Sequence, residues 1–461
     1  MGGTAADMIT DRPQADTDNG RTLIVGLGQT GLACARYLQA RGIPVVIIDS
    51  RTNPPGLEAL TEEMPDAAVI TGGFDSQVFR LADRILVSPG ISVDEPLIRE
   101  ARARGAEILG DIELFAREAQ APIVAITGSN GKSTVTTLLG AMARCAGRHV
   151  AVGGNLGPAA LELLDDEVEL YVLELSSFQL ETTRSLQPRV AVVLNVSPDH
   201  LDRYPDMESY AAVKAGVYQG AELRVLNRDD PRVAAMGEPR EDDLFFTLQT
   251  PKAGEFGLCQ DEGEIWLCRG EQRLLAAAQL PIPGRHNLAN ALAALALGSA
   301  LGLPMPAMLE ALRSYTGLPH RTQYVGEYAG VRWYNDSKAT NVGACIAALK
   351  GFATEPAGQT VLIAGGDCKD ADFSLLAEVV EETVLAVVLI GRDAQQIEAA
   401  LSGCVPLGRA VDMDEAVALA AEFAQPGDRV LLSPACASLD MFDNFAHRGE
   451  VFMAAVRRLL S

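Results

Sequence analysis

Residues 122–134 read PIVAITGSNGKST, an apolar strand-like run, a glycine loop and the start of a helical stretch. This setting is typical of phosphate-binding loops, whose backbone N–H groups cradle nucleotide phosphates. Lys132 is placed to meet β- and γ-phosphates, and the hydroxyl of Ser133 or Thr134 is placed to reach Mg²⁺. The usual pattern has glycine where Ile126 stands, but the remaining GSNGKST predicts ATP binding.

A second glycine loop, GLGQTG at residues 26–31, also follows an apolar strand and opens a helix. Asp49 ends the next strand, about 20 residues further on, as in dinucleotide-binding folds. The loop therefore predicts binding of a nucleotide diphosphate and, taken alone, suggests NAD, with Asp49 on the adenosine ribose. A further turn, at Ser88 and Gly90, ends another strand and is placed to offer N–H groups to the same anion.

Short Val/Ile/Leu runs alternate with alanine-rich helical stretches along the whole chain, which predicts α/β layers. Breaks in the pattern near residues 118 and 319 divide it into three domains. We predict a Rossmann-like N-terminal domain at 21–118, a central P-loop ATPase domain at 119–319 and a Rossmann-like C-terminal domain at 320–461. Residues 1–20 are polar and acidic, unlike a signal peptide, and are expected to be a disordered N-terminal extension.

The charge, the apolar stretches and the cysteines of the sequence exclude several classes of function. The 461 residues carry a net charge of −23, which argues against a nucleic-acid or anionic-membrane surface. The longest apolar stretch, 291–303, is too short to span a bilayer and predicts a buried helix. Eight scattered cysteines without a CxxC pair predict reduced thiols in a cytoplasmic protein.

Two nucleotide-type loops in successive domains are the informative combination. A ligase that activates a nucleotide-linked carboxylate with ATP needs both loops. An NAD-linked oxidoreductase or redox sensor with an appended NTPase domain remains an alternative, because GLGQTG and Asp49 fit it. A non-catalytic nucleotide-binding scaffold is less consistent with intact Lys132, Glu174 and His200.

An ordered set of motifs resembles the Mur ligase and folylpolyglutamate synthetase superfamily over the whole chain after residue 20. GSNGKST is followed by ELSSFQL at 174–180 and DHLDRYP at 199–205. NDSKATN at 335–341 and SPACASLD at 433–440 resemble most closely the members that add D-glutamate. The resemblance implies a cytoplasmic, ADP-forming amide ligase of peptidoglycan precursor synthesis.

In that chemistry, ATP phosphorylates the carboxylate of UDP-N-acetylmuramoyl-L-alanine, and the amine of D-glutamate attacks the resulting acyl phosphate. A carboxylate is a poor acyl donor, and phosphorylation supplies its leaving group. The resemblance implies small-molecule substrates only, two Mg²⁺ ions, a carbamylated Lys214 and a monomer. A carbamate converts the lysine cation into an anion able to bind Mg²⁺.

The metal and catalytic residues combine both lines of reasoning. Glu174 ends a buried strand, where a carboxylate is costly unless it meets a cation. His200 follows another strand, at the carboxyl edge where α/β sheets bind ligands. Lys214 by itself is an ordinary helix lysine. The resemblance makes Ser133, Glu174, His200 and Lys214 metal ligands, and assigns catalysis to Lys132, Glu174, His200, Lys214 and Lys338.

The resemblance also implies three substrate sites. The ATP site comprises Gly128, Ser129, Asn130, Gly131, Lys132, Ser133, Thr134, Asn287, Asn290, Arg321 and Asp336. The UDP-sugar site comprises Gly28, Thr30, Asp49, Ser50, Arg51, Ser88, Gly90, Asn155, Ser176 and Gln179. The amino-acid site comprises Lys338, Thr340, Lys369, Ser438 and Phe445, the last through its backbone N–H. Cations are expected there because D-glutamate carries two carboxylates.

Overall fold

The structure is a computed structural model. It describes residues 21–201, 203–238, 240–282, 284–353, 358–368 and 371–460. The predicted disordered extension at residues 1–20 and the predicted amino-acid ligand Lys369 lie outside the described residues.

The N-terminal part forms a five-stranded sheet in the order β3-β2-β1-β4-β5, with parallel pairing throughout. Its strands are β1 (Thr22–Val25), β2 (Val45–Asp49), β3 (Ala68–Thr71), β4 (Arg84–Val87) and β5 (Glu107–Leu109). Its helices are α1 (Gln29–Ala40), α2 (Leu57–Glu63), α3 (Ser76–Leu81), α4 (Pro96–Ala103) and α5 (Asp111–Glu118). The first glycine loop joins β1 to α1, as the sequence predicted.

A nine-stranded sheet follows, in the order β14-β13-β12-β11-β10-β9-β6-β8-β7. Its strands are β6 (Ile123–Thr127), β7 (Val150–Gly154), β8 (Leu170–Glu174), β9 (Val190–Val193), β10 (Leu223–Asn227), β11 (Leu244–Phe246), β12 (Phe256–Asp261), β13 (Glu264–Arg269) and β14 (Gln272–Ala276). The helices here are α6 (Lys132–Cys145), α7 (Ser177–Leu180), α8 (Met207–Ala215), α9 (Pro231–Ala234), α10 (Arg285–Ala300) and α11 (Met305–Ser314). The predicted buried helix is α10, and Ala291–Gly298 are all buried.

The C-terminal part forms a six-stranded sheet in the order β15-β16-β20-β17-β18-β19. Its strands are β15 (Gln323–Tyr328), β16 (Val331–Asn335), β17 (Thr360–Gly365), β18 (Val384–Ile390), β19 (Leu407–Arg409) and β20 (Arg429–Leu432). Its helices are α12 (Val342–Ala353), α13 (Ser374–Thr383), α14 (Ala394–Leu401), α15 (Met413–Phe423) and α16 (Phe445–Leu460).

Helices cover both faces of this last sheet, which explains the uninterrupted apolar runs of its strands. In β17, Val361 and Ile363 point into one hydrophobic core, whereas Leu362 and Ala364 point into another. Successive side chains of a strand face opposite sides, so a strand buried on both sides needs apolar residues throughout. That composition made these strands predictable from the sequence.

The described chain divides into two compact units. The first contains the five-stranded sheet, residues up to Ala125, His149–Arg189 and Gly216–Glu222. The second contains Ile126–Arg148, Val190–Ala215 and the chain from Leu223 onward. Strand β6 contributes residues to both units.

Two general predictions can be compared with the structure. The prediction of eight free thiols is wrong, because Cys259 and Cys268 form a disulfide across the hairpin of β12 and β13. The antiparallel register brings their Cα atoms to 6.2 Å although they are nine residues apart, and no local pattern in the sequence indicates that pairing. Within the described chain, no helix is both long and apolar enough to cross a membrane.

Candidate active site

The second glycine loop joins β6 to α6 in the second unit. Its ends are glycines with positive φ, +149° at Gly128 and +84° at Gly131. A Cβ atom at Gly131 would lie 2.4 Å from Asn290 Oδ1, so the backbone comes close to α10. Lys132 begins α6, and its ammonium donates to the carbonyls of Gly128 (2.7 Å) and Ser129 (2.9 Å). The predicted phosphate-binding geometry of strand, glycine loop and helix N-terminus is present.

The segment after β9 fixes the shape of this loop. Asn195 Oδ1 accepts the Asn130 backbone N–H at 2.8 Å, and Asn195 Nδ2 donates to the Asn130 carbonyl at 3.0 Å. The Ser129 hydroxyl donates to the Ser197 carbonyl and accepts the Ser197 N–H, each at 3.0 Å. Asn195 was not predicted as a site residue, because its role depends on β9 lying beside β6.

A cavity of about 360 Å³ opens beside the loop within the second unit. It brings together eight of the predicted site residues, namely Asn130, Gly131, Thr134, Asn287, Asn290, Arg321, Asp336 and Lys338. Seven of these were predicted for ATP, and Lys338 was predicted for the amino acid. Residues more than 200 positions apart in the sequence, such as Asn130 and Lys338, therefore line one cavity.

Hydrogen bonds fix several of the cavity side chains. The Arg321 guanidinium donates to Ser133 Oγ at 2.5 Å, and Asn290 Nδ2 donates to Asn287 Oδ1 at 3.1 Å. Asp336 accepts from the Thr322 N–H at 3.0 Å and from the Ser433 hydroxyl at 2.8 Å. Burial outweighs these bonds and raises the pKa of Asp336 to about 6.

Lys214 and His200 both lie close to Tyr210, a residue that contacts the glycine loop. Lys214 is 1% exposed, and its ammonium donates to the Gly128 carbonyl at 2.9 Å and lies 4.6 Å from the ring centroid of Tyr210. The ring centroids of His200 and Tyr210 are 6.4 Å apart. The Tyr210 hydroxyl lies 3.2 Å from Ser129 Oγ. The structure thus places two of the predicted metal ligands, His200 and Lys214, near the glycine loop. It contradicts the interpretation of Lys214 as an ordinary helix lysine exposed to solvent.

Glu174 ends β8 in the first unit and is 3% exposed. Its Oε1 accepts from Asn155 Nδ2 at 2.7 Å, whereas its buried Oε2 has no hydrogen-bond partner among the described residues. A buried carboxylate oxygen without a hydrogen-bond partner destabilises the folded protein unless a cation binds to it. The residue therefore fits a Mg²⁺ ligand. In the described part of the chain, no three His, Cys, Asp or Glu side chains cluster as a ready-made metal site.

The predicted sugar residues Ser176 and Gln179 cap helix α7 reciprocally in the first unit. Ser176 Oγ accepts the Gln179 N–H at 3.2 Å, and Gln179 Oε1 accepts the Ser176 N–H at 3.1 Å. Gln179 Nε2 also donates to Asp111 Oδ2 at 3.1 Å. Burial raises the pKa of Asp111 to about 6. The sequence does not single out Asp111, because a charged residue in the first turn of a helix is ordinarily a surface residue.

The first glycine loop is tightly packed at one end and open at the other. A Cβ atom on Gly31 would lie 2.0 Å from the Gly26 carbonyl oxygen, and the Ser88 hydroxyl donates to that carbonyl at 2.7 Å. Gly28 and Gly90 have no atom within 4 Å of an added Cβ. The two open glycines leave room for a ligand to approach the backbone, and Thr30 nearby is half-buried.

The Asp49 carboxylate is engaged by its own chain. It accepts the Leu27 N–H at 2.7 Å, the Arg51 N–H at 2.9 Å and the Arg51 guanidinium at 2.7 and 2.9 Å. Burial raises the pKa of Asp49, but these hydrogen bonds outweigh burial and lower it to about 2. In this structure Asp49 holds the first glycine loop, while Ser50 and Arg51 are exposed beside it.

Two of the predicted amino-acid residues, Lys338 and Ser438, follow the carboxyl ends of β16 and β20. The Lys338 ammonium lies 3.9 Å from the ring centroid of Phe445, the first residue of α16. The first N–H groups of a helix have no acceptor within the helix, which suits the predicted backbone role of Phe445. Thr340 donates its N–H to the Lys338 carbonyl at 2.8 Å. Ser438 is 4% exposed.

Comparison with known families matches three family models in order along the chain. The Mur ligase MurD-like N-terminal domain matches residues 20–110, the Mur ligase middle domain matches 126–298, and the Mur ligase glutamate ligase domain matches 320–436. The first match covers the GLGQTG loop, so the oxidoreductase alternative is not supported. The three-domain α/β prediction is confirmed.

Two relatives are similar to this chain over nearly their full length. The UDP-N-acetylmuramoylalanine–D-glutamate ligase of Nitrosococcus oceani is 56% identical over 441 residues, covering 95% of this chain and 97% of that protein. The protein of the same name from Pseudomonas aeruginosa is 52% identical over 437 residues, covering 95% and 98%.

Solved structures support the same fold. The UDP-N-acetylmuramate-alanine ligase MurC of Thermotoga maritima matches with a TM-score of 0.62 at 19% identity, covering 95% of this chain and 99% of that one. A pseudomurein peptide ligase type C from Methanothermus fervidus matches with a TM-score of 0.60 at 18% identity, covering 95% and 100%. From the three matched domains and the identity to full-length relatives, the chain belongs to the Mur ligase family of ATP- and Mg²⁺-dependent amide ligases that act on small-molecule substrates.

Proposed function

We propose that this chain adds D-glutamate to UDP-N-acetylmuramoyl-L-alanine, with ATP as the energy source, in peptidoglycan precursor synthesis. The observation that carries the proposal is the cavity of about 360 Å³, which Asn130 and Gly131 of the phosphate loop line together with Lys338. The loop proposed to bind ATP and the lysine proposed to bind the amino acid therefore face the same cavity. The names of the two relatives described above supply the substrates.

The proposed reaction has two steps. A carboxylate oxygen of the alanyl group attacks the γ-phosphorus of ATP, its P–O bond to the β-phosphate breaks, and ADP leaves. The amine of D-glutamate then attacks the carbonyl of the acyl phosphate. The C–O bond to phosphate breaks, the amine loses a proton, and an amide and inorganic phosphate remain. Phosphate is a far better leaving group than oxide, so ATP cleavage makes amide formation possible.

The ATP site in this proposal is the second glycine loop and the cavity beside it. The Lys132 ammonium, now on the loop carbonyls, would turn to the β- and γ-phosphates when ATP binds. Arg321, which donates to Ser133, would contribute a second cation near the transferring phosphoryl group. Fixed donors of this kind stabilise the developing charge of the transition state. Gly128, Ser129, Thr134, Asn287, Asn290 and Asp336 would complete the site.

One Mg²⁺ ion would be held by Ser133 and Glu174. A second would be held by His200 and a carbamylated Lys214. When bound, Mg²⁺ neutralises phosphate charge and polarises the phosphoryl group. The orphaned Oε2 of Glu174 supports the first assignment. The position of Lys214 supports the second, because it is buried against the Gly128 carbonyl of the glycine loop, where a carbamate would place an anionic ligand for Mg²⁺.

The two other substrates would be bound by residues near the carboxyl ends of strands. The UDP-sugar would meet Gly28, Thr30, Asp49, Ser50, Arg51, Ser88 and Gly90 of the N-terminal domain. Asn155, Ser176 and Gln179 would meet its alanyl end. D-glutamate would meet Lys338, Thr340, Lys369, Ser438 and the Phe445 N–H. We place the domain boundaries at 118 and 319, and expect a cytoplasmic monomer.

The proposal is tested by phosphate release with purified protein. ATP, Mg²⁺, UDP-N-acetylmuramoyl-L-alanine and D-glutamate are supplied together and with each one omitted. L-glutamate and D-aspartate replace D-glutamate as matched controls for stereochemistry and chain length. We expect release only in the complete mixture with D-glutamate. Undiminished release without the UDP-sugar or without an amino acid would contradict the proposal, and so would faster release with another amino acid.

A further inference from the structure

Arg448 lies on α16 and is fully buried. Its Nε donates to Ser337 Oγ at 3.0 Å and its Nη2 to the Ser337 carbonyl at 2.8 Å. Its Nη1 donates to the carbonyls of Cys436 (3.1 Å), Ala437 (3.3 Å) and, at the limit of a hydrogen bond, Gly365 (3.5 Å). Four carbonyls and one hydroxyl thus accept from one guanidinium, and none of these acceptors is a carboxylate.

These acceptors lie at the carboxyl ends of three neighbouring strands. Ser337 follows β16, Cys436 and Ala437 follow β20, and Gly365 ends β17, while the sheet order is β16-β20-β17. The carboxyl edge of such a sheet is where α/β proteins bind ligands. The segments after β16 and β20 also carry residues proposed for the amino acid, Lys338 and Ser438. Arg448 therefore ties these two segments to each other and to the end of β17.

The packing around Arg448 leaves these segments little freedom. A Cβ atom on Gly366 would lie 2.1 Å from the Ala437 carbonyl oxygen, so the segments after β17 and β20 are in direct contact. The Ser337 hydroxyl, which accepts from Arg448, also donates to the Phe445 carbonyl at 2.7 Å. The same network thus reaches the first residue of α16, whose ring lies under the Lys338 ammonium.

Charge gives a second reason for an arginine here. Burial lowers the pKa of the Arg448 guanidinium to about 10, so it stays protonated at neutral pH. A buried cation whose hydrogen bonds go only to carbonyl and hydroxyl groups is costly for the folded protein, although the carboxylates of Asp440 and Asp336 also act on it electrostatically. A dicarboxylate bound at the adjacent strand ends would offset that cost. A neutral residue could fill the space but would not attract the anion.

We propose that Arg448 is a positioning residue for the incoming amino acid, which aligns the segments bearing Lys338 and Ser438 and adds a buried positive charge behind them. The inference rests on the proposed function, because it assumes a dicarboxylic amino acid as the second substrate. Arg448 acts through its neighbours, so its loss should raise the KM for D-glutamate while leaving the KM values for ATP and the UDP-sugar near those of the wild type.

The test compares two buried arginines of the same sheet. Arg429 begins β20 at the opposite edge, is 1% exposed and donates to the Phe352 carbonyl at 2.8 Å. Arg448→Met and Arg429→Met remove the same group, and Arg448→Lys restores the charge. Ser337→Ala removes the hydroxyl acceptor without touching the charge, and serves if the Arg448 variants do not fold. Melting temperature and the three KM values are measured for each.

We expect Arg448→Met to raise the KM for D-glutamate about tenfold or more, with Arg448→Lys between it and the wild type. Ser337→Ala should raise it about threefold, and Arg429→Met should lower the melting temperature without a selective change in KM. A KM for D-glutamate within twofold of the wild type in Arg448→Met, or in Ser337→Ala if the former does not fold, would overturn the proposal. An equal change in all three KM values would overturn it too. Failure of the wild type to release phosphate with D-glutamate would instead refute the proposed function.

Discussion

Replacing Gly131 by alanine probes how closely the phosphate loop is fitted to α10. Gly131 caps α6 with φ +84°, a conformation that L side chains rarely adopt. The new Cβ would lie 2.4 Å from Asn290 Oδ1, well inside contact distance, so the Asn290 side chain would have to move. That movement would break the hydrogen bond from Asn290 Nδ2 to Asn287 Oδ1. Both asparagines line the cavity proposed for ATP.

The size of the effect follows from these two costs. Backbone strain at a left-handed position is worth about 1–2 kcal/mol for a residue with a side chain. Loss of the buried hydrogen bond adds about 0.5–1.5 kcal/mol. The free energy of unfolding should therefore fall by about 1.5–3.5 kcal/mol in total. Because Asn290 and Asn287 are both displaced, the KM for ATP should rise about tenfold, equivalent to about 1.4 kcal/mol.

Gly147 provides the matched control at the other end of the same helix. Its φ is +79°, but no atom lies within 4 Å of an added Cβ. Gly147→Ala should show the strain cost alone and leave the KM for ATP unchanged. Both variants are compared with the wild type by chemical denaturation and steady-state kinetics. Equal losses of stability, together with unchanged KM for ATP in both, would refute the argument that Gly131 is required by its contact with Asn290.

Three other predictions concern charged groups. Lys132→Ala should lower kcat/KM by two to three decades, since stabilising a transferring phosphoryl group is worth about 3–4 kcal/mol, and a loss of less than tenfold would show that Lys132 is not a phosphate ligand. Lys214→Ala should be nearly inactive and partly rescued by acetate or formate, whereas Lys132→Ala should not respond to either acid; full activity of Lys214→Ala without added acid would refute the carbamate. Because the folded pKa of Asp111 is raised to about 6, its protonated form stabilises the fold at low pH, and this contribution is lost as the pH rises through about 6. At pH 5.5 the melting temperature of Asp111→Asn, relative to that of the wild type, should therefore be lower than it is at pH 8. The same difference in melting temperature between variant and wild type at both pH values would contradict the raised pKa.

Much of the architecture could be predicted from local patterns. The predicted strand ending at Asp49 is β2, and the predicted strands around 84–88 and 429–435 are β4 and β20. Parallel strands buried on both faces leave continuous apolar runs, which are visible in any sequence. The antiparallel strands β12–β14 were not predicted, and the cross-strand disulfide within them followed from a register that local patterns do not reveal.

The candidate site was predictable where a motif carries its own geometry. GSNGKST specified a strand, a glycine turn and a helix N-terminus, and the structure has all three. Asn195, Asp111 and Arg448 were not singled out, because each acts on segments that are distant in sequence. The burial of Lys214 was equally hidden, since it depends on α8 packing against the Gly128 carbonyl. The ribose role of Asp49 stays a prediction, and the structure adds that its carboxylate accepts hydrogen bonds from Leu27 and Arg51.

The central claim, that ATP activates the substrate carboxylate before the amide forms, is tested most directly by following the carboxylate oxygens. UDP-N-acetylmuramoyl-L-alanine labelled with ¹⁸O in its terminal carboxylate is incubated with ATP, Mg²⁺, D-glutamate and the protein, and the released phosphate is analysed by mass spectrometry. The acyl-phosphate route predicts that each phosphate released with an amide carries one oxygen from the carboxylate. Amide formation with unlabelled phosphate would contradict it.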